Sequence, residues 1–245
     1  TAFITGASRG IGEAIALRLA AEGANVVAVG KSVKEDPRLG GTIHTAVQMI
    51  NDAGGRGLAV QCDIRDEEQI LGAVQHAITT FGGIDILVNN VGVPGPTARV
   101  DEMDADAYDE CVRINLGGTF RCAKAAVPML LKTRGSIINI STSAGIFGYP
   151  LRSPYVAAKW GIIGLTKSWA MELGADGVRV NAICPGSVSG PRMDGVIERE
   201  AAASETFVPR WQMGSCAACG NEKLVNVAGV CRECKREQVE QATDP

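Results

Sequence analysis

Tyr155 and Lys159 lie four residues apart in a stretch, 155–173, whose apolar spacing predicts a helix, so both side chains share one face. An ammonium beside a phenol favours the phenolate. The pair is therefore suited to giving a proton to a carbonyl oxygen or taking one from an alcohol. Taken alone, the spacing is also that of an ordinary surface pair on an amphipathic helix. Its surroundings decide between the two. Thirteen residues before Tyr155, Thr142 stands in Asn139-Ile140-Ser141-Thr142-Ser143-Ala144-Gly145, just past an apolar strand, where a hydroxyl can hold a substrate oxygen. Asn115 lies in Arg113-Ile114-Asn115-Leu116, inside a long helical segment.

A second constellation opens the chain. Thr5-Gly6-Ala7-Ser8-Arg9-Gly10-Ile11-Gly12 follows the apolar run Ala2-Phe3-Ile4 and starts an amphipathic stretch. Strand, glycine turn and helix in that order form a seat for a nucleotide pyrophosphate: Gly6 for the tight turn, Gly10 for close approach of backbone to phosphate, Gly12 for helix packing on the strand. The second predicted strand ends in Gly30-Lys31-Ser32, where a carboxylate would bond a ribose 2′-hydroxyl. Lys31 and Arg9 instead suit a 2′-phosphate, with Glu35 and Asp36 falling beyond the position, so NADP(H) is expected over NAD(H). Asn90 and Gly92 follow the fourth predicted strand, and Pro185-Gly186 the sixth.

The third constellation is at the other end. Cys216-Ala217-Ala218-Cys219-Gly220 and Cys231-Arg232-Glu233-Cys234 are two CxxC pairs separated by eleven residues, and four thiolates match a structural Zn²⁺. A rubredoxin-like iron site would use the same ligands, and a disulfide pairing is disfavoured in a reducing compartment. Between Cys216 and Glu237 four basic residues face three acidic ones, which offers little to a nucleic-acid backbone. A structural or protein-docking role is the better reading of this tail.

The elements that must position these residues follow from hydrophobic periodicity. Strands are predicted at 2–5, 25–29, 58–62, 84–88, 136–140 and 179–183, alternating with helical stripes such as Ile11, Ile15, Leu19 and Ile70, Val74, Ile78. This alternation predicts an α/β doubly wound parallel sheet. Gly23, Gly54 and Gly82 mark helix ends. The βα rhythm stops near residue 190, leaving a short polar helix over 198–203. Two domains are expected: a Rossmann domain over 1–206 and a zinc-ribbon-like tail over 207–245.

Taken together, these motifs in this order resemble the short-chain dehydrogenase/reductase family over residues 1 to about 200. Residues 1–90 look like the hydroxysteroid dehydrogenase-like branch, and 135–200 like bacterial oxoacyl reductases. The resemblance implies hydride transfer between NAD(P)H and a carbonyl or alcohol. It also implies roles residue by residue. Tyr155 would be the proton donor. Lys159 would assist it and hold the nicotinamide ribose. Asn115 would anchor a water in a proton relay, and Thr142 would stand where the family has serine. Gly6, Ser8, Arg9, Gly10, Ile11 and Gly12 would hold the pyrophosphate side. Asn90, with Gly92 beside it, would tie the central strands together near the adenosine. Asp63 with Ile64 would contact adenine, and Val188, just beyond Pro185-Gly186, the nicotinamide carboxamide. Val91 replaces a usual alanine. The family's last strand has no clear equivalent, the nearest match being Leu224–Gly229, so an exposed sheet edge is expected.

Composition narrows the class. Hydrophobic residues make up 46% and charged residues 21%, as in an ordinary globular chain, and the net charge of −3 gives no basic surface for nucleic acid or an anionic membrane. No apolar run is long enough for a membrane helix. The chain enters its first strand at once, so no leader segment is expected. Cys62, Cys111, Cys122 and Cys184 read as buried thiols, which fits the cytoplasm. His44 and His76 read as helix residues with solvated or packing roles. Phe147, Tyr149 and Leu151 suit either an apolar substrate pocket or loop packing. The expected function is NADPH-dependent reduction of a small-molecule carbonyl to an alcohol, or the reverse, in a homo-oligomer. The rival reading, motivated by Thr142 and the tail, is a non-catalytic NADP-binding adaptor whose zinc ribbon docks a partner.

Overall fold

The computed structural model describes residues 1–37 and 39–203, together with the backbone of two short strands, Trp211–Ser215 and Glu222–Asn226. Six parallel strands form one sheet: β1 (Ala2–Thr5), β2 (Asn25–Gly30), β3 (Arg56–Gln61), β4 (Ile86–Asn89), β5 (Ser136–Ile140) and β6 (Arg179–Ile183). Their order across the sheet is β3-β2-β1-β4-β5-β6. The chain thus winds outward from β1 in one direction and resumes on the other side with β4. The crevice between the carboxyl ends of β1 and β4 is the switch point where ligands bind in such sheets.

Helices connect the strands: α1 (Gly10–Ala21), α2 (Ile43–Asp52), α3 (Glu67–Phe81), α4 (Ala105–Val112), α5 (Gly118–Thr133), α6 (Ser153–Leu173) and α7 (Pro191–Ala203). Strand side chains alternate between two cores. Phe3, Val27, Leu87 and Ile137 pack with Ile70 and Val74 of α3 and Leu130 of α5. Ala2, Ile4, Val26, Ala28 and Val88 pack with Ala16 and Ala20 of α1 and Ile50 of α2. Coverage on both faces explains why these strands read as nearly continuous apolar runs.

Several details depart from the periodicity. In α1 the buried face is Gly12, Ala16 and Ala20, while Ile11, Ile15 and Leu19 are half-buried at its flanks. The helix approaches the sheet so closely that only small side chains fit: a Cβ on Gly12 would strike the Gly6 carbonyl oxygen. The long helical segment around Asn115 is broken by a π-turn, Arg113–Gly117, between α4 and α5. α6 starts two residues earlier than expected, with Pro154 in its first turn, where proline is tolerated. α7 begins at Pro191 rather than 198 and runs to Ala203. Cys62, Cys111 and Cys122 are buried, but Cys184 is only partly so because it follows β6 into a loop. His44 and His76 are exposed on α2 and α3.

Among the described residues β6 pairs only with β5. The first part of the stretch that most resembles a last strand, Leu224–Asn226, falls on β8 (Glu222–Asn226), which pairs antiparallel with β7 (Trp211–Ser215), outside the six-stranded sheet. The chain divides into two compact units, Thr1–Val196 and Ile197–Pro245. Cys216, Cys219, Cys231 and Cys234 lie outside the described residues.

Candidate active site

The carboxyl ends of β1, β4, β5 and β6 carry the site. At β1, Gly6 (φ +66°) and Gly10 (φ +58°) turn the chain into α1. A Cβ at Gly10 would meet nothing within 4 Å, so this loop presents open backbone. Arg9, the residue capping α1, makes no side-chain cap, which leaves the first amide N–H groups of the helix facing outward. Ser8 is buried and Ile11 half-buried beside them. Gly12, unable to take a side chain, lets the helix start lie against β1. This cradle fits a dinucleotide pyrophosphate.

Asn90 stitches the cradle to β4. Its Nδ2 donates to the carbonyl oxygens of Thr5 and Gly6, both at 3.1 Å, while its backbone N–H donates to Thr5 Oγ1 at 3.0 Å. Val91 packs where a Cβ on Gly6 would approach it at 3.1 Å, so the larger residue closes the cradle wall. Gly92 lies half-buried in the following loop.

At the β2 end, Lys31 Nζ lies 3.1 Å from Asp63 Oδ2. Asp63 also receives a two-pronged contact from Arg65, which reaches on to Glu110 at 2.6 Å. Chiefly through the Arg65 hydrogen bonds, the Asp63 carboxyl is held well below the usual carboxylate range. Ile64 is 5% exposed and packs in the core, where a Cβ on Gly118 would collide with it. Arg9 is anchored to the loop before α2. Its Nε and Nη2 donate to the carbonyl oxygens of Gly40 and Gly41, both at 2.7 Å, because two consecutive left-handed glycines turn those carbonyls toward it.

On α6, Lys159 is 3% exposed, donates from Nζ to the Ile140 carbonyl oxygen at 2.8 Å, and lies 5.7 Å from the centre of the Tyr155 ring. The expected pairing on one helix face is therefore present, and the lysine is buried rather than solvated. Ser141 Oγ donates to the Lys159 carbonyl oxygen at 2.9 Å and is itself buried, which commits it to holding α6. Thr142 is half-buried and its hydroxyl donates to Pro185 O at 3.3 Å; Ser143 N–H donates to the same oxygen at 2.8 Å. Pro185 thus joins the β5 and β6 ends, with Gly186 open beyond it and Val188 half exposed.

Asn115 is fully buried in the π-turn. It donates from Nδ2 to Cys111 O (2.8 Å) and Val93 O (3.1 Å) and accepts from Val93 N at 3.1 Å, clamping the loop after β4. Phe147 and Tyr149 are exposed, and Leu151 adopts φ +62°, on the loop preceding α6.

Two features escaped the sequence reading. A buried chain of Asn89, Asn139 and Thr166 links β4, β5 and α6 beneath the site, with both bonds at 2.9 Å. Asn89 and Asn139 end or nearly end their strands, the only signal available. The other is Arg152, which is 4% exposed at the start of α6, with its guanidinium carbon 5.4 Å from the Tyr155 ring centre. An arginine in place of a usual helix cap was the available hint.

The short chain dehydrogenase family profile matches residues 1–201. The chain belongs to the short-chain dehydrogenase/reductase family. Trans-4-hydroxycyclohexanecarboxylate dehydrogenase of Sinomonas cyclohexanicum is 43% identical over 197 residues, covering 80% of this chain and 74% of that protein. The 3-oxoacyl-[acyl-carrier-protein] reductase FabG of Staphylococcus aureus is 36% identical over 215 residues, covering 87% and 85%. The structure of carveol dehydrogenase from Mycobacterium avium in complex with NAD matches with a TM-score of 0.73 at 35% identity, covering 78% of this chain and 72% of that one. Hydroxysteroid dehydrogenase-like and oxoacyl reductase relatives both match, each across most of the chain. The short-chain dehydrogenase assigned here is an NAD(P)-dependent oxidoreductase acting on CH–OH groups and the corresponding carbonyls. No helix among its described residues is long and apolar enough to cross a membrane.

Proposed function

We propose that this enzyme reduces a ketone on a small carbon skeleton with NADPH, Tyr155 supplying the proton. The observation that carries this reading is the buried Lys159 ammonium, 5.7 Å from the Tyr155 ring and fixed by Ile140 O. A cation held there stabilises the phenolate left when the proton departs. Thr142 would orient the carbonyl oxygen; its hydroxyl donates only weakly, at 3.3 Å, to Pro185 O and can turn to a substrate. Asn115 would hold the relay water from its backbone. Bound nicotinamide supplies or accepts the hydride. Gly6, Ser8, Arg9, Gly10, Ile11 and Gly12 would line its pyrophosphate, Asn90 and Gly92 the crevice floor, Asp63 and Ile64 the adenine, and Lys159, Pro185, Gly186 and Val188 the nicotinamide end.

Lys31 is the residue that supports NADP(H). It is exposed and follows β2 directly, and its Asp63 partner can be exchanged for a 2′-phosphate. The test of cofactor choice is a titration with NADPH and NADH followed by nicotinamide fluorescence. NADPH should bind more tightly, and Lys31→Glu should reverse the order; equal affinities would refute the assignment. The test of chemistry is Tyr155→Phe, assayed with 4-oxocyclohexanecarboxylate and a short 3-oxoacyl thioester, probes taken from the relatives. Turnover should vanish with cofactor affinity nearly unchanged. Retained turnover would remove Tyr155 from its role.

We further infer one structural zinc per chain, held by Cys216, Cys219, Cys231 and Cys234. The antiparallel pairing of β7 and β8 supports this, since the first CxxC pair falls in the sequence joining those strands. Metal analysis of the purified protein should return one zinc, and its absence would refute the ligand set. A homo-oligomer in a reducing cytoplasm completes the reading, supported by Phe120, Trp160 and Met171 exposed on α5 and α6 and by the free thiols of the Rossmann unit. Sedimentation would test it.

A further inference from the structure

A carboxylate stands beside Lys31. Asp63 Oδ2 lies 3.1 Å from Lys31 Nζ, just past the end of β2, where a ribose 2′-phosphate would arrive. Left to itself such a pair is close to neutral, and its anion would both hold the lysine and repel a dianionic phosphate. Asp63 is not left to itself. Arg65 donates from Nε to both carboxylate oxygens at 3.0 Å and from Nη2 to Oδ2, and its backbone N–H donates to Oδ1 at 3.0 Å. Both oxygens of Asp63 are thus engaged before Lys31 is counted. Accordingly the Asp63 carboxyl is held well below the usual carboxylate range by Arg65 first, and by Lys31 to a smaller extent.

We propose that Arg65 determines cofactor specificity through Asp63: by holding both carboxylate oxygens it cancels the charge that faces a 2′-phosphate and lets Lys31 leave Asp63 for that phosphate. Arg65 is a positioning residue and not a phosphate ligand. Its guanidinium forks between two carboxylates, with Nε and Nη2 on Asp63 and Nη1 on Glu110 at 2.6 Å, which commits those donors. The side chains differ in freedom in the sense the proposal needs. Lys31 is 61% exposed and Asp63 20%, so the lysine can swing to a ligand while the carboxylate stays in the fork.

The surrounding charges give Arg65 its leverage. Lys31, Asp63, Arg65, Glu110 and Arg113 are joined in that order by ion pairs and alternate in sign. The row begins and ends with a cation and carries one net positive charge. Without Arg65 it separates into two neutral pairs, Lys31 with Asp63 and Glu110 with Arg113, and nothing is left over for a phosphate. Asp66 is the next carboxylate along the chain, but it accepts from the N–H groups of Glu68 and Gln69 as the cap of α3. Glu67 pairs with Lys124 at 2.6 Å.

The proposal deepens the NADP(H) reading and rests on it. NADPH and NADH differ only in the 2′-phosphate, so the ratio of their affinities isolates that group. Both are measured by nicotinamide fluorescence titration at one ionic strength. In Arg65→Gln the preference for NADPH should fall by roughly tenfold, as uncovering one carboxylate beside a phosphate implies. Adding Asp63→Asn to Arg65→Gln should restore the preference, because the anion that Arg65 cancels is then gone. A merely structural role would lower both affinities together, with no rescue by the second substitution. A preference unmoved in Arg65→Gln overturns the proposal, and so does a fall that Asp63→Asn does not reverse. Where neither Gln variant folds, Asp63→Asn alone decides: with Arg65 in place it should hold or raise the preference for NADPH, and a drop overturns the proposal. The underlying reading is tested separately by the unaltered enzyme. No preference for NADPH there removes both, whereas a preference present there but insensitive to Arg65 removes this proposal alone.

Discussion

Replacing Asn115 tests whether the π-turn is a clamp or a mere irregularity. The side chain makes three hydrogen bonds to backbone, two donated from Nδ2 to Cys111 O and Val93 O and one accepted from Val93 N, besides a longer one from Nδ2 to Cys111 Sγ. Asn115→Ala deletes all three and leaves the Val93 amide and carbonyl facing a small void. Losing an acceptor from a buried N–H costs about 1–3 kcal/mol, and each lost neutral bond roughly a further 0.5–1.5 kcal/mol. With the orphaned amide counted once and the two donated bonds separately, the sum is about 2–6 kcal/mol. For a unit of this size the middle of that range corresponds to a fall in melting temperature of roughly 8–16 °C, measurable by circular dichroism. Asn115→Asp supplies the control, since it preserves volume and the Val93 N–H acceptor while placing a carboxylate oxygen against two carbonyl oxygens. It should be at least as destabilising as alanine. An aspartate variant with the unaltered melting temperature, beside a destabilised alanine variant, would show that volume and not hydrogen bonding holds the turn, and the clamp argument would fail.

Gly12→Ala places a Cβ 2.5 Å from Asn90 Nδ2 and against the Gly6 carbonyl, so the cradle must open; nicotinamide fluorescence titration should show affinity for NADPH falling by at least tenfold, and unchanged affinity would refute the packing reason for this glycine. Arg65→Met addresses acid stability. Arg65 lowers the Asp63 carboxyl and, with Arg113, the Glu110 carboxyl, so these groups stabilise the fold fully above their unfolded values near 4 and lose that contribution as pH falls through the window below. The melting-temperature gap between the unaltered enzyme and Arg65→Met should therefore be widest near neutrality and close as pH drops below about 4. A gap independent of pH would mean that Arg65 contributes packing alone.

The legible part of the fold was the part governed by short-range pattern. β1, β5 and β6 begin and end where their apolar runs do, and Gly82 ends α3 in the left-handed conformation that its position implies. The stripe of α1 was misread because periodicity counts large apolar residues, whereas close helix–sheet contact selects small ones; Gly12, Ala16 and Ala20 also recur at fourth positions but weigh little on a hydrophobic scale. The anchoring of Arg9 was illegible for a different reason. A guanidinium in a glycine loop suits a phosphate, and only the tertiary position of the Gly40 and Gly41 carbonyls, some thirty residues away, captures it. Tyr155 and Lys159 were legible because i and i+4 geometry is local. The burial of Arg152 depends on the Pro94 carbonyl from another loop, so its place at the helix start hints at it without specifying it.

The polar side chains at the mouth of the sheet share a common device. Asn90 donates to Thr5 and Gly6, Asn115 binds Val93, Thr142 donates to Pro185, Lys159 donates to Ile140 and Arg152 donates to Pro94. Every acceptor is a backbone carbonyl at the carboxyl end of a strand or in the loop that follows it. Those carbonyls have run out of ladder partners where the strands stop, and a buried carbonyl without a donor is costly. The residues suited to chemistry therefore also complete the hydrogen bonding of the sheet's ragged edge. A loss of activity on replacing any of them mixes chemistry with collapse of the strand ends, so cofactor affinity must be measured beside turnover. Tyr155 is different: among the described residues its hydroxyl bonds no strand end, and its removal should separate the proton from the scaffold most cleanly.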